Sequence, residues 1–405
     1  MQNKPLQGVK VIDLSVFASA ASCARLLGEW GAEVIKVEAI NGDPGRYAGA
    51  SLGLPACPEE NPSFECNNAY KKGLALNLKS EAGRKIMNQL LADSHVFLTN
   101  NRTKALVRLG LDYDTIHNKF PHLIWAQLTG FGIKGADADD AGFDPVAFWA
   151  RNGAMLDIAE ADTAPVIPPT GFGDRTTGCS LAAGICAALY QQKVSGEGQR
   201  IQVSLMGQAL WNMGEIIQSI QYGDIYPKSR KEAVTPLVNS YRCSDGKWIF
   251  ISCYDYNRYF PLLCEVFGRN DLVLDERYSG LKEAKKHCKE LIEIIEKEFS
   301  KYSEEEISIR LRDKDFPFSP INHISDVLKD QQALENGFLF QYEHRNGKLT
   351  QGVSSPVQFL NTNLDTYKNA PLLGEDGKEI LRSFGYSDLE IEQLIEEKCI
   401  FIEQY

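Results

Sequence analysis

Apolar residues in the first part of the chain come in short runs divided by helical stretches. Residues 9–14 read as a buried strand, 18–30 as a helix rich in small residues, and 33–37 as a second strand. Strand, helix and strand at this spacing make a βαβ unit, which favours a right-handed crossover and a parallel sheet. The pattern then recurs. Residues 74–78, 96–99, 123–128 and 201–204 read as further strands. A helix capped by Ser80 runs to Leu91, and helical sequence follows around 104–109 and 113–118. The turn cluster Asn41-Gly42-Asp43-Pro44-Gly45 closes the second strand. One long helix is predicted over about 205–222.

The pattern changes beyond that helix. Residues 226–236 are mostly polar, with Pro227 and Pro236 near the ends, and read as a linker. Residues 240–243 and 247–252 flank Ser244-Asp245-Gly246, a hairpin signal. Charged amphipathic helices are predicted at 281–302 and 304–312, with Ser303 and Glu306 forming a capping box for the latter. Residues 338–344 and helices at 376–384 and 387–398 read as a return to the first domain. The predicted fold class is α/β: a Rossmann-like large domain over 1–224, a smaller α+β domain over 225–325, and a C-terminal return over 326–405. No GxGxxG follows the first strand, so the usual dinucleotide fingerprint is missing.

Composition narrows the function more than the fold. The 405 residues are 43% hydrophobic and 24% charged, an ordinary globular balance. A net charge of −11 argues against nucleic acid or an anionic membrane as the main partner. A polyanionic ligand would need a local basic patch. The ten cysteines form no CxxC pair, and Lys4-Pro5 leads straight into strand-like sequence. Reduced thiols and a cytoplasmic location are expected. The uncharged stretch 176–192 is broken by Gly178 and Gly184, and suits a packed internal helix better than a membrane span. The six histidines show no HxxxH or HExxH spacing, so no metal site is expected. Neither a GxSxG elbow nor a P-loop occurs.

Candidate chemistry centres on Thr170-Gly171-Phe172-Gly173-Asp174, at the mouth of a predicted helix. Asp is a preferred N-cap, and from the pattern alone capping is the commoner role. The other reading is a nucleophile. A helix N-terminus favours an ionised carboxylate by about 0.3–1 kcal/mol. Glycines there admit a bulky substrate, and their N–H groups can stabilise an oxyanion. An approachable carboxylate is a plausible covalent nucleophile. Arg175 opposes the helix dipole, and either meets an anionic substrate or is simply solvated. Asn100, Asn101, Arg102, Lys104 and Arg108 follow a strand end, where open α/β sheets bind ligands. Three cations and two amides suit phosphates, and the plain alternative is a solvated helix face. Lys71-Lys72 is a weaker signal of the same kind.

Several pieces, in order and over nearly the whole chain, resemble the class III CoA-transferases. They are Gly8-Val9-Lys10-Val11-Ile12-Asp13-Leu14, Gly31-Ala32-Glu33-Val34-Ile35-Lys36-Val37-Glu38, Gly42-Asp43-Pro44 and Leu76-Asn77-Leu78-Lys79. Gly130-Phe131-Gly132, Gly173-Asp174, Gly196-Glu197-Gly198-Gln199 and Pro371-Leu372-Leu373-Gly374 complete the set. The resemblance implies that Asp174 attacks an acyl-CoA thioester and passes through an anhydride and an aspartyl-CoA thioester. It implies CoA binding near Val16, Phe17, Ala18, Lys72, Asn100, Asn101, Arg102 and Arg108. It also implies an interlocked homodimer, with CoA thioesters as substrates and no permanently bound cofactor.

Three departures narrow the branch. Asn101-Arg102-Thr103 stands where formyl-CoA transferase-like members carry an aromatic and Pro-Gly, and the glycine-rich flap of the oxalate enzymes has no counterpart around 237–240. Oxalate is therefore disfavoured. The racemase members carry Gly-His-Asp, whose His is an acid/base, and here Gly142-Phe143-Asp144 offers no such proton carrier. Asn-Asn-Arg-Thr-Lys-Ala-Leu, Gly-Phe-Asp-Pro-Val-Ala-Phe-Trp-Ala-Arg and Gly-Phe-Gly-Asp look most like the 2-hydroxyacid branch, whose acids include phenyllactate and 2-hydroxyisocaproate. Phe143, Phe148 and Trp149 would suit an aryl or branched alkyl acid, and equally a core. A small carboxylic acid and an acyl-CoA are the expected partners, with association with a 2-hydroxyacyl-CoA dehydratase as a further expectation. A carnitine- or bile-acid-type transferase, a racemase and a non-catalytic acyl-CoA-binding subunit are the alternatives.

Overall fold

A computed structural model of the chain describes residues 4–364 and 366–403. Its largest sheet has seven strands. They are β1 (Lys10–Leu14), β2 (Glu33–Glu38), β3 (Lys72–Leu76), β4 (Val96–Thr99), β5 (Ile124–Thr129), β6 (Arg200–Ser204) and β12 (Ile400–Phe401), in the order β12-β3-β2-β1-β4-β5-β6. Pairing is parallel throughout except at β12, which runs antiparallel to β3. The strands are rich in Val, Ile and Leu because both faces of a parallel sheet are covered. The central sheet confirms a mixed α/β fold. Strand order doubles back at β1, between β2 and β4, the position where such sheets open a crevice.

The helix Ser19–Glu29 packs against the long helix Phe172–Ser195. Small residues make that approach feasible. A Cβ on Gly178 would lie 2.3 Å from Ser22 Oγ. The uncharged stretch is therefore a packed helix, and among the described residues no helix is long and apolar enough to cross a membrane.

The chain divides into two compact units. The first comprises residues 1–154, 167–218 and 332–405, and the second 155–166 and 219–331. The second has a three-stranded antiparallel sheet of β7 (Val238–Arg242), β8 (Trp248–Ser252) and β9 (Phe318–Pro320). Its core includes Tyr241, Ile249, Leu291, Ile295 and Phe299. Residues 155–166, which the sequence reading leaves in the large domain, belong to this second unit. Ala161 N–H donates to the Lys228 carbonyl at 3.1 Å, and Glu160 accepts from Ser229 Oγ at 2.6 Å. The first unit also holds the hairpin of β10 (Leu339–Glu343) and β11 (Leu349–Val353).

Two predicted helices are interrupted. The 205–222 stretch splits into Leu205–Asn212, Gly214–Ser219 and a 3-10 turn at Ile220–Tyr222, with the first break just before Gly214. Glycine in a helix interior costs about 1 kcal/mol relative to alanine. The 281–302 stretch splits at His287, whose φ of −119° leaves the helical region, into Leu281–Lys286 and Cys288–Phe299.

Candidate active site

The parallel strands β1, β4 and β5 bring their carboxyl ends to one edge of the sheet. The segments that leave them enclose a cavity of about 370 Å³. Val16, Phe17 and Ala18 line it after β1, and Asn100, Asn101 and Arg102 after β4. Gly130, Asp140, Phe143 and Asp174 also line it. Six of the eight residues expected to hold CoA thus share one cavity with the expected nucleophile.

The two amides serve the loops themselves. Asn100 Oδ1 accepts from Val16 N–H at 2.9 Å, and its Nδ2 donates to the Val16 carbonyl at 2.8 Å. Asn101 Nδ2 donates to the Leu14 carbonyl at 2.8 Å. Asn100 thus fixes the loop after β1, and Asn101 holds the last residue of that strand.

Arg108 lies on a neighbouring cavity of about 550 Å³, with Lys104, Lys134, Asp139 and Arg200. Thr103 and Ala138 line both cavities. Lys104 pairs with Asp139 at 2.8 Å. Four cations against one carboxylate make this the local basic patch that the acidic chain needs for a polyanion. Lys134 and Arg200 were not expected here: Lys134 follows β5 and Arg200 opens β6, both distant from Arg108 in sequence.

Lys72 is placed elsewhere. It opens β3, so it sits at the amino end of its strand, and its ammonium bonds Glu379 at 2.9 Å and Glu33 at 3.2 Å. Its neighbour Lys71 is buried, and donates to Asp13 Oδ2 at 2.7 Å.

Asp174 is not the cap of its helix. The N-cap is Gly171, at φ 72°, and Asp174 is the third residue of Phe172–Ser195. The carboxylate that meets the helix start is Asp144. Its Oδ2 accepts from the N–H groups of Gly173 and Asp174, at 3.0 and 3.3 Å. The Gly173 N–H is therefore engaged and is not a free oxyanion donor. Gly173 is required by close packing: a Cβ there would lie 2.4 Å from Phe148 Cγ and 2.5 Å from Asp144 Oδ1. Gly171, by contrast, has open space where its Cβ would be.

This arrangement reverses one electrostatic expectation. The helix start was expected to keep Asp174 ionised. Burial and the adjacent Asp144 raise its pKa to about 7, and Arg175 only partly opposes them. Burial also raises the pKa of Asp144, against the two N–H bonds. Arg175 points its guanidinium at Cys66 Sγ. A carboxylate with a pKa near 7 is more basic, and so more nucleophilic when ionised, than an ordinary one.

The aromatic run divides. Phe148 and Trp149 are buried, whereas Phe143 is 59% exposed and lines the cavity. Its ring meets Phe17 edge-on, with centroids 5.6 Å apart. Among the described residues no group of three or more His, Cys, Asp or Glu side chains is placed to hold a metal ion.

The model for CoA-transferase family III matches residues 6–377. The chain is 39% identical over 395 residues to the (R)-2-hydroxy-4-methylpentanoate CoA-transferase of Clostridioides difficile, covering 98% of this chain and 99% of that one. It is 40% identical over 399 residues to the cinnamoyl-CoA:phenyllactate CoA-transferase of Clostridium sporogenes, covering 98% and 97% of the two chains. A solved CAIB/BAIF family protein from Brucella suis matches with a TM-score of 0.81 at 26% identity, over 94% of this chain and 100% of that one. With its α/β fold and a cavity at the strand ends, the chain belongs to CoA-transferase family III and is a CoA-transferase.

Proposed function

We propose that the protein moves CoA from an acyl- or enoyl-CoA to a 2-hydroxyacid, with Asp174 as covalent carrier. The observation that carries this reading is the position of Asp174: a half-buried carboxylate on a cavity framed by the loops at the ends of β1 and β4. The relatives named for 2-hydroxy-4-methylpentanoate and phenyllactate support the acceptor class.

The chemistry balances without an added proton. An Asp174 carboxylate oxygen attacks the thioester carbonyl, the C–S bond breaks, and CoA leaves as thiolate. The product is a mixed anhydride. The thiolate attacks Asp174 Cγ, expels the first acid as carboxylate, and leaves an aspartyl-CoA thioester. The incoming carboxylate attacks Asp174 Cγ and displaces the thiolate. The thiolate then attacks the new acyl carbonyl, and the Asp174 carboxylate is regenerated. Lys104, Arg108, Lys134 and Arg200 suit the phosphates of CoA, and Val16, Phe17, Ala18, Asn100, Asn101 and Arg102 the walls of the channel. Phe17 and Phe143 offer the acyl group an apolar face. Phe143 carries no titratable proton, so racemisation through that position is not favoured.

A matrix of acids against one acyl-CoA donor tests the acceptor class. Phenyllactate and branched 2-hydroxyacids are expected to turn over at least about 10-fold faster, by kcat/KM, than oxalate or carnitine, as about 1.4 kcal/mol of differential binding would give. Equal rates across the panel would remove the proposal. A cytoplasmic homodimer with interlocked chains is part of the same reading. Exposed apolar residues such as Trp211 (82%) and Tyr222 (92%) favour coverage by a partner. Light scattering is expected to give twice the 45.2 kDa chain mass, and a monomer would contradict it. Association with a 2-hydroxyacyl-CoA dehydratase follows only if the product class is right, and co-purification of the pair tests it.

A further inference from the structure

Behind the cavity wall lies a buried charged network that the proposed chemistry does not use. It begins with strain. Five non-glycine residues among those described have left-handed backbone, and Phe17, at φ 58°, is the one on the cavity wall. A bulky residue in that region costs about 1–2 kcal/mol and persists only where its surroundings over-determine it.

Asp43 supplies that determination. Its Oδ1 accepts from Phe17 N–H at 3.0 Å and from Gly45 N–H at 2.7 Å. Its Oδ2 accepts from Lys36 Nζ at 2.9 Å, and the same ammonium donates to the Ser15 carbonyl at 3.0 Å. The Lys36 and Asp43 side chains are 0% and 1% exposed. Glu38 accepts from Asp43 N–H at 2.9 Å and is itself held by Arg46 at 2.6 Å. Gly45 allows the approach, since a Cβ there would lie 3.1 Å from Asp43 Oδ1 and 3.2 Å from Phe17 Cα. Burial works against the charge on Lys36, yet Asp43, Asp13 and Glu38 outweigh it and hold its pKa above the ordinary lysine value.

A buried ion pair adds little net stability relative to a well-packed apolar pair, but it fixes geometry. We propose that Asp43, backed by Lys36, is a positioning residue that holds Phe17 in its left-handed turn, and so sets the cavity wall at Phe17 and Phe143 for acyl-CoA. The kinetic part rests on the transferase reading above. The structural part does not.

Asp43→Ala is the primary test, read by a crystal structure and by steady-state kinetics. Phe17 is expected to leave positive φ and lose its edge-on contact with Phe143. KM for acyl-CoA is expected to rise about 10-fold or more, with kcat changing less than about threefold. The double variant Lys36→Met/Asp43→Asn keeps an oxygen for the Phe17 and Gly45 N–H groups and leaves no unpaired ammonium. It is expected to recover most of the KM loss, and it stands in if Asp43→Ala does not fold. Retention of the Phe17 turn in Asp43→Ala overturns the proposal, whatever the enzyme's substrate. So does a double variant as impaired as Asp43→Ala. A displaced Phe17 in a protein whose wild type transfers no CoA would instead remove the transferase reading and leave the positioning role in place.

Discussion

Asp174→Ala is expected to lower kcat/KM for CoA transfer by at least about 10³-fold while acyl-CoA still binds. The carboxylate is both the attacking group and the carrier of CoA, so no neighbouring group replaces it. Asp144 is the obvious substitute, but its Oδ2 is tied to the Gly173 and Asp174 N–H groups. Gly173 packs against Phe148, so the helix start does not depend on the Asp174 side chain, and the variant is expected to fold. Isothermal titration with an acyl-CoA separates the two effects. Binding within a few-fold of wild type with no turnover is the expected pair of results. Turnover at wild-type rate would remove Asp174 from the chemistry.

The second large effect is a shift in pH dependence. Only ionised Asp174 attacks a thioester, so kcat/KM in the free enzyme is expected to rise with pH through a limb near 7, the value set by burial and Asp144. Its charged surroundings are Asp144, which raises the pKa, and Arg175, which lowers it, with Arg102 and Asp140 on the cavity wall. Asp144→Asn keeps an acceptor for the helix N–H groups and removes the negative charge. The acid limb is then expected to move to lower pH, because the charge that disfavours ionisation is gone. Burial remains, so the limb stays above ordinary carboxylate values. A merely structural role for Asp144 would change the amplitude of the profile and leave its midpoint in place. A full pH–rate profile of both proteins distinguishes these outcomes.

The parts of the fold that were legible in the sequence are those governed by local pattern. The apolar runs around Val11, Ile35, Phe97 and Trp125 mark buried parallel strands, and the alternation with helices implies the central sheet. The parts that were not legible depend on which distant residue wins a partner. Asp174 looked like its own helix cap, but Asp144, 30 residues earlier, takes the N–H groups. Asn100 and Asn101 looked free for phosphate, but the backbone at and just after the end of β1 takes their hydrogen bonds. Lys72 looked like a ligand cation, but a strand's direction decides which end reaches the cavity, and Lys72 is at the other end. The basic groove needed Lys134 and Arg200, which periodicity does not connect to Arg108. The antiparallel edge strand β12 has only two residues, too few to show alternation. The family resemblance rests on the quoted motifs in order, and it supplied the role of Asp174 that the local pattern left open.

If Asp174 carries CoA covalently, the adduct forms on its own peptide. The most direct measurement is mass spectrometry of the Asp174 peptide after brief incubation with an acyl-CoA and no acceptor. A CoA adduct is expected on that peptide, converted to a hydroxamate by hydroxylamine and absent in Asp174→Ala. Full turnover by the wild type, with neither adduct nor hydroxamate on the Asp174 peptide, would contradict it.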